Sequence, residues 1–455
     1  MKKLLSIFLL ILSFTALKAE EKIIACDNSL EMFDWAFEFI DKAEQSIEFA
    51  PCYFGGELFQ KMMGAFEKQM KRFTRLQIHI IFEGTFLEPA DKALLERMKQ
   101  DYSRQFHPLL VSRVVDIHQD LIGISNHMKM LVIDETYYTF GGSNYDYVIS
   151  SEGTHPEKRR IKEGVMVANM LPNGSRDQDI VGKGPMAKKL RRTFYNVFAL
   201  WEDYQKSHRF TSKNPEDFSE HNRFKVLKAS WPIVERFEQA KNVVTIDSDR
   251  VKLVMGGPWK RPNNITEEYL RLINLAEQQI FVGNLYFAPI DQIMEAFQNA
   301  SKRGVMTQII TNGINDQAPP YTVNFAYANR IHFLPILKGR TYTFFEKGMC
   351  KKHPDYNAHF YEYYVKDIVY HKKMMLVDNR YFLIGCYNLD VHSDIADYEL
   401  VMVIDSPELA KEAAKIAKRD LEHSFKLSEE VVRDWYFDPA VRFKANLQKK
   451  SHTLI

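Results

Sequence analysis

The stretch HMKMLVIDETYYTFGGSN, residues 127–144, has a second version in the same chain, HKKMMLVDNRYFLIGCYN, residues 371–388. In both versions Lys follows the first His by two residues, Asp follows it by seven and Asn by seventeen. An apolar run and a glycine lie between these fixed positions. One such match carries little information, but two matches in the same register indicate a duplicated site.

The repeat extends beyond the motif on both sides. Upstream, AEQSIEFAPCYF (43–54) matches AEQQIFVGNLYF (276–287), and each is followed by an amphipathic helix pattern and a second short apolar run. Downstream, KEGVMVAN (162–169) matches YELVMVID (398–405), and a helix pattern closes each half. The order strand, helix, strand predicts an α/β fold built from two repeated α/β/α sandwich domains.

Lys2 and Lys3 precede an apolar stretch over residues 4–17, and LKA (17–19) comes directly before Glu20. The stretch is shorter than a bilayer-spanning helix, so it predicts a secretory signal peptide, with an uncleaved membrane anchor as the alternative. We therefore expect an exported protein, periplasmic or secreted, or one that stays membrane-associated through a retained N-terminal segment. The predicted segments are 1–19 (signal peptide), 20–210 and 250–430 (the two repeated domains), 211–249 (a polar linker) and 431–455 (a C-terminal tail).

Composition describes an ordinary globular protein. The 455 residues are 45% hydrophobic and 26% charged, with a net charge of +2. A protein dedicated to nucleic acid usually has a clear basic excess, so this balance weighs against that class. Four cysteines in an exported chain permit disulfides, and a Cys26–Cys350 bridge is one open pairing that the sequence does not decide.

The repeated polar residues suit a phosphate better than a metal. Protonated lysines repel a cation and cannot ligate it, so we expect no metal and no cofactor. Two ammonium groups and two amides can hold phosphate oxygens, while two imidazoles divide the roles of nucleophile and general acid/base. The candidate catalytic residues are His127, Lys129, Asn144, His371, Lys373 and Asn388.

Two pairs of carboxylates also recur. Asp134 and Asp378 follow the His by an odd number of residues, so strand alternation directs them away from it. We interpret them as structural, either capping a strand end or pairing with a basic group. Glu163 and Glu399 begin the matched apolar runs and are candidates to orient a histidine through its far ring nitrogen, with a surface position as the alternative.

These motifs resemble the signature of the phospholipase D superfamily, H-x-K-x₄-D followed by G-[SG]-x-N and present twice, and the second half is similar to bacterial cardiolipin synthases. The resemblance implies the phospholipase D fold, with one active site at the pseudo-twofold interface of the halves and a phosphohistidine intermediate. It places the nucleophile in the N-terminal motif, at His127. The chain departs from the pattern at Gly142 and Cys386, where Ser is frequent, and at His392, where the synthases usually have Arg.

Three functions follow as hypotheses. The first is a metal-independent phosphodiesterase or phosphatidyltransferase that acts on phospholipids at a membrane surface, by hydrolysis to phosphatidic acid or by transfer as in a cardiolipin synthase. The alternative is an exported endonuclease that cleaves nucleic-acid phosphodiesters at the same site. An inactive scaffold is the third, and the retention of His, Lys, Asp and Asn in both copies argues against it. A monomer is expected because both motifs lie in one chain.

Overall fold

The computed structural model describes residues 19–84, 87–116, 122–145, 174–220, 222–228, 232–314, 323–366 and 368–452. The predicted signal peptide and Glu163 lie outside these residues.

The N-terminal half has a mixed α/β architecture. Its elements are β1 (Glu20–Cys26), α1 (Ser29–Ile40), β2 (Ser46–Tyr53), α2 (Gly56–Arg72), β3 (Gln77–Glu83), α3 (Pro89–Asp101), β4 (Phe106–Val111), β5 (Val114–Asp116), β6 (Ile122–Asn126), β7 (Met130–Ile133), β8 (Tyr137–Gly141), β9 (Ser175–Arg176), β10 (Asp179–Lys183), α4 (Met186–Ser207), α5 (Glu235–Gln239) and β11 (Val244–Asp247). Eight of these strands form one sheet in the order β11-β1-β10-β8-β7-β2-β3-β4.

The C-terminal half repeats this arrangement. Its elements are β12 (Val251–Gly256), α6 (Asn264–Leu275), β13 (Gln279–Asn284), α7 (Asp291–Lys302), β14 (Met306–Thr311), α8 (Val323–Ile331), α9 (Phe333–Leu337), α10 (Lys347–Cys350), β15 (Ala358–Tyr363), β16 (Val369–Tyr370), β17 (Lys373–Val377), β18 (Tyr381–Gly385), α11 (Val391–Ile395), β19 (Asp397–Asp405), α12 (Pro407–Glu422), β20 (Ser424–Lys426), α13 (Glu429–Phe437) and α14 (Pro439–His452). Its sheet has the order β20-β15-β14-β13-β17-β18-β19-β6-β5, and β12 also pairs with β19.

The predicted repeat units form the same structures in both halves. β2 and β13 are followed by α2 and α7 and then by parallel partners, β3 and β14. Every residue of β2 except its last is buried, because helices cover both faces of the sheet. The repeated α/β/α sandwich is therefore confirmed.

Two segments at the predicted domain borders belong to the folded halves. Within the expected linker, β11 pairs with β1, and Val234, Phe237 and Ile246 are buried, so part of this stretch completes the first sheet. Beyond residue 430, α13 and α14 pack on the C-terminal half instead of forming an extended tail. Apolar side chains in these segments draw them onto the domains.

One hydrophobic core joins the halves. It contains residues from the facing sides of both sheets together with α4 and α12, and α4 contacts β12 while α12 contacts β1. The four cysteines are buried and unbridged, so the open Cys26–Cys350 pairing is absent. No helix in the described part of the chain has the length and apolarity needed to cross a membrane.

Candidate active site

The two halves exchange short strands at the motif histidines. β6, which leads into His127, pairs in parallel with β19 of the C-terminal half. β16, which leads into His371, pairs in parallel with β9 of the N-terminal half. The backbone N–H of His127 donates to the carbonyl of Tyr398 at 3.1 Å, and that of His371 donates to the carbonyl of Arg176 at 2.9 Å. Each histidine is therefore held by the opposite half.

A buried carboxylate from the opposite half contacts each imidazole. Nδ1 of His127 lies 2.8 Å from Oε1 of Glu399, and Nδ1 of His371 lies 2.7 Å from Oδ2 of Asp177. A carboxylate at Nδ1 fixes the orientation of the ring and directs Nε2 to the reaction. Ser393 Oγ donates to Glu399 Oε1 at 3.1 Å and holds that carboxylate in place.

Asp177 was not among the candidates from sequence, and its position shows how the repeat aligns. In β10 Asp179 pairs with Gly141, and in β19 Val401 pairs with Gly385. Counting back two residues from each makes Asp177 the counterpart of Glu399. In the described residues the run that corresponds to YELVMVID is SRDQDIVGK (175–183), whereas KEGVMVAN, which contains Glu163, lies outside them. The common feature is a carboxylate two residues before the residue that pairs with the motif glycine.

The motif lysines lie beside the histidines. Lys129 and Lys373 are buried, and each Nζ donates to the carbonyl of the His two residues earlier, at 3.0 Å and 2.6 Å. Nζ of Lys373 is also 2.8 Å from Nε2 of His371. The strands β7 and β17 begin after the histidines, so His127 and His371 lie in the connections that enter them, not in regular strand. Each Lys nevertheless shares a side with its His.

The motif asparagines are also buried beside this site. Asn144 and Asn388 follow β8 and β18 and are 6% and 7% exposed. Within the described part of the chain, Oδ1 of Asn388 has no hydrogen-bond partner. An unpaired amide oxygen can accept a hydrogen bond from a hydroxyl group of a ligand.

The two imidazole–carboxylate pairs differ in the pKa of the carboxylate. Burial raises the pKa of Glu399 well above its usual value, and the nearby Asp397 raises it further. Burial would also raise the pKa of Asp177, but His371 and the motif lysines outweigh it and hold that pKa below the usual value. These shifts favour the ionised form of Asp177 and the protonated form of Glu399.

The histidines and one lysine are shifted toward their neutral forms. Burial, followed by the charges of Lys129 and Lys373, lowers the pKa of His127 well below its usual value. Burial lowers the pKa of His371 to about 4, although Asp177 acts in the opposite direction. Burial also lowers the pKa of Lys373 to about 7. A bound phosphate would supply the negative charge that this site lacks.

Asp134 and Asp378 have equivalent structural roles. The carboxylate of Asp134 accepts hydrogen bonds from the backbone N–H groups of residues 44–46, and that of Asp378 from those of residues 277–279. Both residues have φ near +50°, a conformation in which Asp is enriched among non-glycine residues. They cap the starts of β2 and β13. Of the two structural roles expected from the sequence, this is the capping of a strand end.

The residues after the motif glycines differ between the halves. A Cβ on Gly142 would lie 2.7 Å from Oδ1 of Asp177, so glycine leaves room for that carboxylate. Cys386 occupies the matching position, where its Sγ donates to the carbonyl of Leu400 at 3.3 Å. His392 is also buried near the site and lies 3.2 Å from Asp397. At these departures the chain thus has a bonded thiol at Cys386, an imidazole close to a carboxylate at His392, and a glycine that makes room for Asp177.

A metal fits this site poorly. In the described residues one cluster, His127, Cys386 and Glu399, has three potential ligand atoms within 4.8 Å of one another. The ammonium groups of Lys129 and Lys373 are close enough to lower the pKa of His127, and they would oppose a cation there. The same groups favour an anion.

Charged residues lie behind His371. Asp420 Oδ1 is 2.8 Å from Nε of Arg176, and its Oδ2 is 2.5 Å from Nζ of Lys372. All three side chains are at most 2% exposed, and Tyr370 donates to the same carboxylate at 3.1 Å. Burial lowers the pKa of Lys372 to about 8. Arg176 and Lys372 are next to Asp177 and His371 in the sequence. Through Asp420 they connect α12 to β9 and to the end of β16.

Comparison with known proteins assigns this architecture. Residues 269–421 match the family described as "Cardiolipin synthase, PLD-like domain". Over 97% of its length the chain superposes on the crystal structure of phosphatidylserine synthase from Haemophilus influenzae Rd KW20, with 14% identity, a TM-score of 0.60 and 96% of that chain covered. Residues 269–421 are therefore similar to that family, and the chain as a whole has the same fold as the phosphatidylserine synthase. Both motifs are present in the chain, and the two halves bring them together.

Curated relatives match the chain over part of its length. Cardiolipin synthase A of Buchnera aphidicola (subsp. Acyrthosiphon pisum) is 26% identical over 162 residues, which are 35% of this chain and 28% of that protein. Cardiolipin synthase 1 of Bacillus anthracis is 26% identical over 203 residues, 44% of this chain and 34% of that protein. The chain therefore matches about a third of the length of these two relatives.

Proposed function

We propose that this phospholipase D-type protein is a phosphatidyltransferase or phosphodiesterase that acts on glycerophospholipid head groups through a phosphohistidine. The proposal is carried by the two imidazoles, each fixed at Nδ1 by a buried carboxylate of the opposite half, beside two buried lysines. Similarity to cardiolipin synthases and to a phosphatidylserine synthase supports a phospholipid substrate.

In the first step Nε2 of His127 attacks phosphorus, and the bond from phosphorus to the leaving alcohol breaks. The negative charge of the bound phosphodiester raises the pKa of His371, which takes up a proton from solvent at Nε2 when substrate binds and then gives that proton to the leaving oxygen. The assignment follows the pKa difference, because the imidazole beside ionised Asp177 is the more readily protonated of the two. The lysines and the motif asparagines hold the remaining phosphate oxygens.

In the second step His371 acts as a general base instead of a general acid. Its neutral Nε2 removes the proton of the incoming hydroxyl, the oxygen attacks phosphorus, and the phosphorus–nitrogen bond to His127 breaks. Water as the acceptor yields phosphatidic acid. When phosphatidylglycerol is the donor, the leaving alcohol of the first step is glycerol. A hydroxyl of a second phosphatidylglycerol as the acceptor then yields cardiolipin.

The test incubates the full chain with vesicles of phosphatidylglycerol and, in the same tube, a single-stranded oligonucleotide. The variants His127→Ala and His371→Ala are run in parallel, and products are identified by mass spectrometry. We expect phosphatidic acid or cardiolipin from the unaltered protein alone, and the identity of the product separates hydrolysis from transfer.

Cleaved oligonucleotide with intact lipid would overturn the proposal in favour of the nuclease. Absence of any product, with all three proteins folded, would favour the inactive scaffold. Equal lipid turnover by the unaltered protein and both variants would also contradict the proposal, because the activity would then come from a contaminant.

A further inference from the structure

The last helix, α14, presents large apolar side chains to solvent. Phe443 is 70% exposed and Leu447 is 60% exposed. They lie four residues apart and therefore share one face of the helix. Val441 and Ala445 lie on the other side and are buried, so α14 is packed on the protein through one face and apolar on part of the opposite face.

A series of hydrogen bonds connects α14 to the candidate active site. Oε1 of Gln448 accepts from the backbone N–H of Ala328 in α8, at 2.8 Å. The next residue, Asn329, donates from Nδ2 to the carbonyl of Asn312 at 3.2 Å. Nδ2 of Asn312 donates to the carbonyl of Tyr370 at 2.7 Å, immediately before His371. α14 also contacts α11, which begins three residues after Asn388. α14 is thus attached at the catalytic end of the C-terminal half.

The charge of α14 indicates what kind of surface it fits. Its sequence, PAVRFKANLQKKSH, contains four cationic residues and no acidic residue. Exposed apolar side chains among cations are typical of helices that lie in the interface of an anionic membrane, where apolar groups enter the acyl boundary and cations remain near the head groups.

We propose that the outer face of α14, Phe443 and Leu447 with the adjoining cations, lies on an anionic lipid bilayer and brings the active site to its substrate. This inference rests on the proposed function for the identity of the substrate. The association itself requires no catalytic residue. The apolar pair supplies contact with the acyl region, and the cations supply attraction to anionic head groups.

A second exposed phenylalanine offers a matched control. Phe345 is 94% exposed and precedes α10, on the segment that leads into the start of β15. β15 runs parallel to β14 and β13, and β13 ends at Asn284, which pairs with Lys373. The active site is therefore at the ends of these strands, whereas Phe345 is on the side where they begin.

The experiment measures co-sedimentation of the full chain with vesicles. One set contains phosphatidylcholine alone and the other an equimolar mixture with phosphatidylglycerol. We compare the unaltered protein with the double variant Phe443→Ser and Leu447→Ser, with Phe345→Ser, and with Lys444→Gln, which removes an exposed cation between the two apolar residues. Thermal unfolding checks that each variant is folded. Turnover is measured on vesicles and on a short-chain phosphatidylglycerol dispersed as monomers.

The proposal expects preferential binding to the anionic vesicles. The apolar double variant should bind about tenfold or more weakly, since two side chains lose their contact with the acyl region. Lys444→Gln should bind several-fold more weakly to anionic vesicles only, because one cation near the head groups is lost. Phe345→Ser should bind normally, and turnover of monomeric lipid should remain unchanged in every folded variant.

Equal vesicle binding by the folded apolar double variant would overturn the inference. So would the absence of binding of the unaltered protein to either set of vesicles. If lipid turnover is absent throughout but vesicle binding depends on Phe443 and Leu447, the inference stands and the proposed function fails. If lipid turnover is normal but insensitive to these residues, the proposed function stands and the inference fails.

Discussion

His127 and His371 are held by equivalent backbone hydrogen bonds, but the residues behind them differ. Met128 follows His127. The backbone N–H of His127 donates to the carbonyl of Tyr398, whose ring stacks on Trp259 with 5.9 Å between the ring centroids. At the corresponding positions around His371 are Lys372 and Arg176, both bound to buried Asp420. An aromatic core thus supports one half-site and an ion cluster the other.

This difference shows how a duplicated site can divide one reaction into two roles. The two histidine–carboxylate distances are almost the same, 2.8 Å and 2.7 Å. The pKa values of the two carboxyl groups nevertheless shift in opposite directions, because burial and the nearby Asp397 raise that of Glu399, whereas His371 and Lys373 outweigh burial and lower that of Asp177. In the proposed reaction this difference assigns the nucleophilic attack to His127 and the proton transfers to His371.

The largest expected effect separates these two roles. His127→Asn and His371→Asn should each slow turnover of a natural phospholipid by about 10³-fold or more. With a p-nitrophenyl phosphodiester lipid, the leaving group needs no proton. His371→Asn should then release a burst of one equivalent of p-nitrophenol per enzyme and stop at the phosphohistidine, while His127→Asn shows no burst. The absorbance of p-nitrophenol provides the measurement, and a burst from His127→Asn alone would reverse the assignment.

The carboxylates should differ next. Asp177→Asn removes a negative charge from His371 and should lower kcat about 10- to 100-fold, as for other orienting carboxylates. The raised pKa of Glu399 favours its protonated form, and Gln has the shape of that form, so Glu399→Gln should lower kcat only a few-fold. Steady-state rates at pH 7 compare the two. Equal losses would show that Glu399 is ionised in the working enzyme and would remove the charge difference between the half-sites.

The buried ion cluster of Arg176, Lys372 and Asp420 should contribute to the free energy of unfolding. Lys372→Met copies the residue at the equivalent position, Met128, and should reduce the free energy of unfolding by about 3 kcal/mol because Asp420 loses one of its two cations. Met128→Leu is the matched control and should cost less than about 1.5 kcal/mol. Denaturant unfolding of a cycle with Asp420→Asn measures the coupling. Additive single and double changes would mean that Lys372 and Asp420 do not act together.

The smallest expected effect is a pH dependence of stability from His371. Its folded pKa of about 4 lies below the usual value of about 6.5, so protonation favours the unfolded chain. Its contribution is complete above about pH 6.5 and decreases as the pH falls toward 4, by about 2 kcal/mol at pH 5. His371→Asn should remove this part of the acid dependence, seen as a smaller difference between unfolding free energies at pH 7 and pH 5. An unchanged difference would show that His371 is not held neutral.

Much of the fold and of the site could be predicted from short-range patterns. The repeated spacing identifies both motifs, and strand alternation places each Lys on the same side as its His, even though the regular strand begins later than expected. The separation of Asp134 and Asp378 from their histidines likewise indicated a structural role. Such predictions succeed because spacing along one strand or turn is determined locally by the backbone.

The partner of His371 could not be predicted in this way. KEGVMVAN is more similar in letters to YELVMVID than SRDQDIVGK is, yet β10 is the strand that pairs with β8. Strand pairing depends on a register between distant segments, and that register is set by which side chains fill the core. The positions of Asp177 and of the ion cluster around Asp420 follow only from that register.

The sequence by itself determined the duplication, the residue types at the site and their suitability for phosphate, since these follow from composition and spacing along the chain. Only the tertiary structure decided that each half supplies the carboxylate for the other half's histidine. The exchanged strands β6 and β16 make this arrangement, and the pairing of strands from two halves is a long-range choice. The electrostatic difference between His127 and His371 has the same origin, because a pKa depends on which charges the fold brings together and how deeply it buries them.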